Sequence, residues 1–249
     1  MSDRILYLGD TAIAQAASYL TGIMTHYGFD FDYVDSDTKF TDELLGNDYK
    51  LMIISDYPAA NFSVDQMQAI VDKTKAGMSL LMIGGWESFT GLGGDYNKTP
   101  IAEVLPVTMK DSDDRTNFSG PCLVIKNQDH QILDSLPFDS DIPAIGGLNE
   151  FTPKPDAAVL LSAVRYNAEK TDGKVVFTEN SKYPLLVVSE SPIARTAAFA
   201  SDVAPHWVGP LVDWGTERVK AQAKGARDVE VGNHYTKFFA NIIKWLCRK

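Results

Sequence analysis

The stretch SLLMIGGWES, residues 79–88, indicates the fold most strongly. Four apolar residues run into Gly84 and Gly85, and Trp86, Glu87 and Ser88 follow directly. An apolar run of this length bounded by glycines is typical of a buried strand, and paired glycines permit a tight turn with close backbone approach. The stretch therefore predicts a strand that delivers polar and aromatic side chains to the rim of an α/β sheet.

Strand and helix signals alternate through the preceding residues. Buried strands are predicted at 4–10 and 49–56 and an alternating strand at 29–35, and a helix is predicted at 13–27 from apolar residues spaced three and four apart. A second helix should begin at the capping box Ser63-Val64-Asp65-Gln66, with a buried stripe formed by Val64, Met67, Ile70 and Val71. This alternation predicts a parallel sheet with helices on both faces.

The pattern changes after residue 94. A short helix is predicted at 99–106 and an acidic, solvated loop at 111–115, and strand-like runs dominate from 121 to 201. These runs either extend the first sheet or form a small antiparallel layer beside it. Residues 209–232 form a long connection that could act as a mobile lid, and a helix is predicted at 233–247. We predict one domain over 1–249.

Composition limits the classes of partner. The chain has a net charge of −10 and only two cysteines, without a CxxC pair. Nucleic acids and anionic membranes bind basic surfaces, so neither is an expected partner. Few cysteines, the absence of a signal-peptide pattern and the absence of a long apolar run favour a cytoplasmic protein.

Three segments, residues 55–57, 84–88 and 201–207, should meet at the carboxyl ends of the parallel strands, where open α/β sheets bind ligands. The candidate catalytic residues are Glu87, His206 and Asp202, since a histidine near carboxylates can act as a general base. The candidate ligand-binding residues are Asp56, Tyr57, Gly84, Gly85, Trp86, Ser88 and Trp207. Free N–H groups of the turn after the fourth strand would provide an anion or oxyanion site.

Plainer interpretations stay open for each residue. The two glycines could simply let the chain leave the sheet, His206 could be held by backbone carbonyls, and the two tryptophans could pack in the core. Zinc-binding, calcium-loop, P-loop, dinucleotide and GxSxG patterns are absent, so we predict no metal and no cofactor.

Three segments in combination resemble one family. GGWESFTGLGG with TPIAEVLPV, and AAFASDVAPHW before the last helix, are similar to glutamine amidotransferase-like cytoplasmic bacterial proteins. The resemblance covers nearly the whole chain. It implies an open, mostly parallel flavodoxin-like sheet, with additional strands from the C-terminal half. It also implies a strand–turn–helix elbow, which carries the attacking cysteine in class I amidotransferases.

The resemblance breaks at that cysteine. Trp86, or Glu87 if the turn shifts by one, stands in its place, and His206 lies about where the histidine of the triad is expected. Neither an indole nor a carboxylate readily replaces a thiolate nucleophile. We therefore expect a pseudoenzyme that binds a small polar metabolite; the alternative is a hydrolase or lyase of altered chemistry using Glu87 and His206. A homo-oligomer is expected, since domains of this kind often pair symmetrically.

Overall fold

A nine-stranded mixed sheet organises the protein. The computed structural model describes residues 4–249, apart from the side chain of residue 121. The strands are β1 (Ile5–Gly9), β2 (Phe31–Val34), β3 (Leu51–Ser55), β4 (Ser79–Ile83), β5 (Val107–Met109), β6 (Arg115–Lys126), β7 (Ala144–Asn149), β8 (Phe151–Pro153), β9 (Ala158–Thr171), β10 (Lys174–Glu190), β11 (Arg195–Phe199), β12 (Arg218–Ala221) and β13 (Val229–Gly232). The α-helices are α1 (Ser18–His26), α2 (Asp42–Leu45), α3 (Val64–Lys75), α4 (Pro205–Val208) and α5 (Asn233–Leu246).

The first half of the sheet is parallel and runs in the order β2-β1-β3-β4-β11. Every residue of β1, β3 and β4 is buried, which fits their continuous apolar sequence. All four strands predicted before residue 90 are present. Because these strands are parallel, the segments that follow β1, β3, β4 and β11 reach the same edge of the sheet.

The second half of the sheet is antiparallel and continues through β10, β9, β6 and β7. The later strands thus extend the first sheet, which was one of the two predicted arrangements. The described strands of this sheet make four parallel and four antiparallel pairings, so the parallel arrangement predicted for most of the sheet holds for its first half only. The fold is mixed α/β, with a sheet that is large relative to its few helices.

Two of the predicted helices form with altered details. The capping box of α3 is confirmed, because Ser63 Oγ accepts from the Gln66 N–H and Gln66 Oε1 accepts from the Ser63 N–H. Val64 is 70% exposed and was wrongly assigned to the buried stripe. Helix α1 begins at Ser18, not at residue 13, because turns occupy the preceding residues.

The segment 209–232 is structured. A short 3₁₀ helix (Gly209–Asp213) is followed by the antiparallel pair β12–β13, and Ala221, Val229 and Val231 are buried. The segment predicted to be a long connection therefore contains regular secondary structure. Within residues 4–249, no helix combines the length and the apolarity needed to cross a bilayer.

Candidate functional site

The turn after β4 requires both of its glycines. A Cβ atom at Gly84 would lie 2.1 Å from the carbonyl oxygen of Ala200, and one at Gly85 would lie 2.1 Å from Oδ1 of Asp56. Gly85 also has a φ of +156°, a conformation that other residues rarely adopt. The close approach predicted from the glycine pair is thus present. The described chain makes turns from residue 86 to 94 without an α-helix, so the expected strand–turn–helix elbow is absent.

Asn149 clamps this turn from the end of β7. Its Oδ1 accepts from the Gly85 N–H at 2.9 Å, and its Nδ2 donates to the Gly85 carbonyl at 3.1 Å and to Asp114 Oδ1 at 2.7 Å. The Asp114 carboxylate in turn accepts the N–H groups of Thr90 and Gly91. Two buried side chains therefore fix the backbone of the turn. Neither residue was expected at the site from the sequence, and Asp114 was wrongly assigned to a solvated loop.

Asp56 holds the same turn from the end of β3. Its Oδ1 accepts the Glu87 N–H at 2.8 Å, and its own N–H donates to Ser88 Oγ at 2.9 Å. Its φ of +45° is unusual for a residue other than glycine. Strained backbone of this kind is concentrated at functional sites. The N–H groups of Gly85 and Glu87, which the sequence suggested as a free anion site, are bonded to side chains of the chain itself.

Three carboxyl groups lie at this edge of the sheet, with Asp10 and Asp202 buried and Asp56 partly buried. Burial raises the pKa of Asp10 to about 6, with opposing hydrogen bonds from Tyr7 and Ser55. Burial, together with the negative charge of Asp10, raises the pKa of Asp56 to about 8. The same two causes, in the same order, raise the pKa of Asp202 well above its usual value. Burial, reinforced by repulsion from neighbouring carboxyl groups, favours the protonated form of Asp56 and Asp202. Asp10 was not among the site residues expected from the sequence.

Trp86 lies between two polar groups at the surface. The residue is 46% exposed, with the guanidinium of Arg115 4.8 Å from its ring centroid and the His206 ring centroid at 5.9 Å in an edge-on arrangement. Arg115 also donates from Nε and Nη2 to the Asp113 carboxylate, at 2.9 and 2.7 Å. The structure thus brings the predicted residues Trp86 and His206 together, and it adds Arg115.

The predicted catalytic residues do not form one hydrogen-bonded group. Asp202 Oδ1 accepts the N–H groups of Val203 and Ala204, and no hydrogen bond between Asp202 and His206 is found among the described residues. Partial burial, then the charge of Asp37, raises the pKa of Glu87. The charge that acts on the Glu87 carboxyl group is therefore that of Asp37, whereas His206 contacts Trp86.

Three predicted ligand contacts are buried in the protein. Tyr57 is fully buried and its hydroxyl donates to the Thr38 carbonyl, while Ser88 Oγ is occupied by Asp56. Trp207 is 1% exposed, packs against Gly147 and donates from Nε1 to Asn117 Oδ1 at 2.7 Å. In this conformation the polar atoms of these three side chains bond to other groups of the protein.

Neither cysteine is near the turn. Cys122 is on β6, four strands from β4 in the sheet order, and burial raises the pKa of its thiol to about 11. Cys247 is buried after α5, next to Leu246, whose carbonyl accepts from Ser79 at the first residue of β4. It therefore lies at the opposite end of β4 from the turn. A cavity of about 410 Å³ is also at that opposite end, lined by residues that include Tyr49, Gly77 and Ile193.

Comparison with known proteins gives relatives over nearly the whole length. The family model described as "Putative glutamine amidotransferase" matches residues 9–248. The chain is similar to the solved cytoplasmic protein STM3548 from Salmonella typhimurium, with 25% identity and a TM-score of 0.71 over 97% of this chain and 98% of that one. It is also similar to cytoplasmic protein STM1381 from Salmonella typhimurium LT2, with 26% identity and a TM-score of 0.73 over 98% and 99% of the two chains. No curated protein matches the sequence.

Proposed function

Because the chain belongs to the glutamine amidotransferase-like family, we propose that it is a binding protein that keeps the ligand-binding edge of that fold without glutaminase activity. One arrangement carries the proposal: in the turn after β4, Trp86 is followed by Glu87, whose N–H donates to the Asp56 carboxyl group. A nucleophile and an open oxyanion site are both needed for amide hydrolysis by the usual route. Here an indole and an internal carboxylate take those two places.

The cysteines offer no substitute nucleophile. The raised pKa of Cys122 leaves its thiol protonated at neutral pH, and its strand is separated from β4 by three others. Adjacent strands are about 4.8 Å apart, so β6 lies roughly 19 Å from β4. Cys247 is at the wrong end of β4. Thiolate chemistry at the turn would therefore need a residue that the chain does not place there.

The exposed part of the site favours a small polar ligand with a flat face. Trp86 offers a half-exposed ring, and His206 and Arg115 flank it with hydrogen-bond donors. Aromatic side chains of this kind stack against planar groups or sugar rings, while the polar groups fix orientation. A sugar or an amide metabolite has both features.

We also propose a flavodoxin-type fold for the parallel half of the sheet and a cytoplasmic location for the protein. The order β2-β1-β3-β4-β11 matches the flavodoxin-type order, whose ligands bind at the carboxyl ends of the strands. We assign the parallel half to that type, with helices on both faces. The similar Salmonella proteins are described as cytoplasmic, and we place this chain in the cytoplasm as well.

A thermal-shift screen of sugars, amides and nucleosides tests the binding role. A ligand present at about 100 times its dissociation constant adds about 2.7 kcal/mol to the stability of the native state. For a chain of this length that is a rise in Tm of roughly 5–10 °C. The shift should disappear in Trp86→Ala and His206→Ala and persist in His26→Ala, a matched control at an exposed histidine outside the site. A shift that survives both site variants would place binding elsewhere.

A second candidate, a hydrolase or lyase of altered chemistry, is favoured by one observation. Asp56 has a pKa of about 8 and contacts the backbone of Glu87, whose own pKa is raised by burial. A carboxyl group that titrates near neutral pH can act as an acid or a base. Chromogenic ester and glycoside substrates would test this role. Turnover that is lost in Glu87→Gln and in His206→Ala would support it, and absence of turnover across the panel would favour the binding role.

A further inference from the structure

A long two-stranded arm projects from the antiparallel half of the sheet. Residues 166–180, the outer ends of β9 and β10 with their Asp172-Gly173 turn, are all exposed, and we call this segment the arm. The pairing of β9 with β6 stops at Val164, and the pairing of β10 with β11 starts at Leu186. The arm therefore has no neighbouring strand on either side among the described residues. An isolated two-stranded ribbon is only marginally stable in water.

The two faces of the arm differ in polarity. The pairs Lys170–Val175, Ala168–Phe177 and Tyr166–Glu179 have cross-strand partners in register and lie on one face. Three of their side chains are large exposed hydrophobics, with Val175 59%, Phe177 67% and Tyr166 41% exposed. The opposite face carries Val176 among polar and charged residues: Asn167, Glu169, Thr171, Lys174 and Thr178. The arm is thus amphipathic, and its apolar face is in solvent.

We propose that this apolar face is a dimer interface that binds the same face of a second copy of the chain. A two-fold axis in the plane of the interface, perpendicular to the strands, places the tip of one arm against the base of the other. Phe177, at the middle of the face, then packs against Phe177 of the second copy. The proposal goes beyond ligand binding and does not depend on it.

Charge complementarity selects a second copy as the occupant. On the apolar face, Lys170 lies near the tip and Glu179 lies near the base, four residues apart along the ribbon, or about 13 Å. Within one arm the two charges are too far apart to pair. In the antiparallel dimer, Lys170 of each copy lies over the Tyr166–Glu179 pair of the other, so two ion pairs form at once. The arm itself has a net charge of −1, whereas the whole chain has −10, so two arms approach with little repulsion.

The size of the arm predicts the strength of the association. Three cross-strand pairs from each copy form a small interface, and interfaces that bury less than about 1,200 Å² are typical of weak complexes. The central aromatic pair supplies the anchor that such an interface needs. We therefore expect a monomer–dimer equilibrium in the micromolar range.

Sedimentation velocity of the full chain, from about 1 to 100 µM, tests the proposal. The wild type should shift from monomer to dimer with concentration. Phe177→Ser should weaken association about a hundredfold. Lys170→Glu and Glu179→Lys should each weaken association about tenfold, because each variant turns both ion pairs of the dimer into pairs of like charge. The double variant, Lys170→Glu with Glu179→Lys, should restore association. Lys174→Glu is the matched control, the same charge reversal near the tip on the polar face.

The outcomes separate a dimer from other roles of the arm. Restored association in the double variant, with Lys174→Glu unchanged, supports the antiparallel arrangement. A wild type that stays monomeric at the highest concentration overturns the proposal, and so does a dimer that Phe177→Ser leaves intact. A double variant as weak as its two parents overturns the pairing of Lys170 with Glu179. Since these side chains are exposed, all of the variants should keep the wild-type Tm when it is measured at concentrations where the wild type is monomeric.

Discussion

Replacing Asn149 by alanine should release the turn after β4. The side chain is fully buried and makes three hydrogen bonds, two of them to the backbone of Gly85 and one to Asp114. The variant leaves the Gly85 N–H and carbonyl without these partners and removes one donor from a buried carboxylate. A buried polar group that loses its partner costs about 1–3 kcal/mol, so we expect Asn149→Ala to lower the free energy of unfolding by about 3 kcal/mol.

Thermal unfolding followed by circular dichroism measures this effect. For a chain of this length, a loss of about 3 kcal/mol corresponds to a fall in Tm of roughly 6–12 °C. Asn167→Ala is the matched control, because Asn167 is exposed on the arm and its amide makes one hydrogen bond, with Asn180. That control should change stability by less than about 0.5 kcal/mol. If the two variants unfold at the same temperature, Asn149 does not clamp the turn and the reasoning fails.

Three further predictions concern the same edge of the sheet and the thiols. Since the pKa of Asp56 is raised to about 8, the folded state keeps a proton that the unfolded chain releases near pH 4. Wild-type stability should therefore fall as pH rises from 4 to 8, and Tm measured across this range should fall less steeply in Asp56→Asn. Gly85→Ala should unfold well below the wild type in the same assay, because the added methyl group overlaps the Asp56 carboxylate; equal stability would refute the close packing. Both cysteines are buried, so Ellman's reagent should label neither Cys122 nor Cys247 in the native protein and both in denaturant. Rapid labelling of the native protein would contradict their burial.

Much of the parallel half of the fold could be predicted from local sequence. The strands around residues 5–9, 51–55 and 79–83 are continuous apolar runs, and the capping box at Ser63 marks the start of α3. These signals are local, so neighbouring residues alone are enough to identify them. The antiparallel pairings could not be derived in the same way, because the register of β9 and β10 depends on contacts between distant residues.

The candidate site was predicted only in outline. Trp86 and His206 were correctly expected at one edge of the sheet, because glycine pairs and strand ends are visible in sequence. Asn149 is 64 residues from the Gly85 backbone that it clamps, and Asp114 sits in a stretch whose acidic composition suggests a solvated loop. Arg115 follows directly and was read as part of the same loop. Nothing in the neighbouring sequence distinguishes these residues from surface residues. Their contacts within the protein become visible only when the strands of the sheet are packed together.

Ammonia release from L-glutamine is the measurement that tests the central proposal most directly. The purified wild type, at a concentration high enough to detect slow turnover, should release no more ammonia than buffer or heat-denatured protein. A metabolite found by thermal shift should bind the same preparation, which shows that the protein is folded and its site intact. Ammonia release above background that disappears in Trp86→Ala or Asp56→Asn would contradict the proposal. It would mean that the turn after β4 catalyses amide hydrolysis without a cysteine.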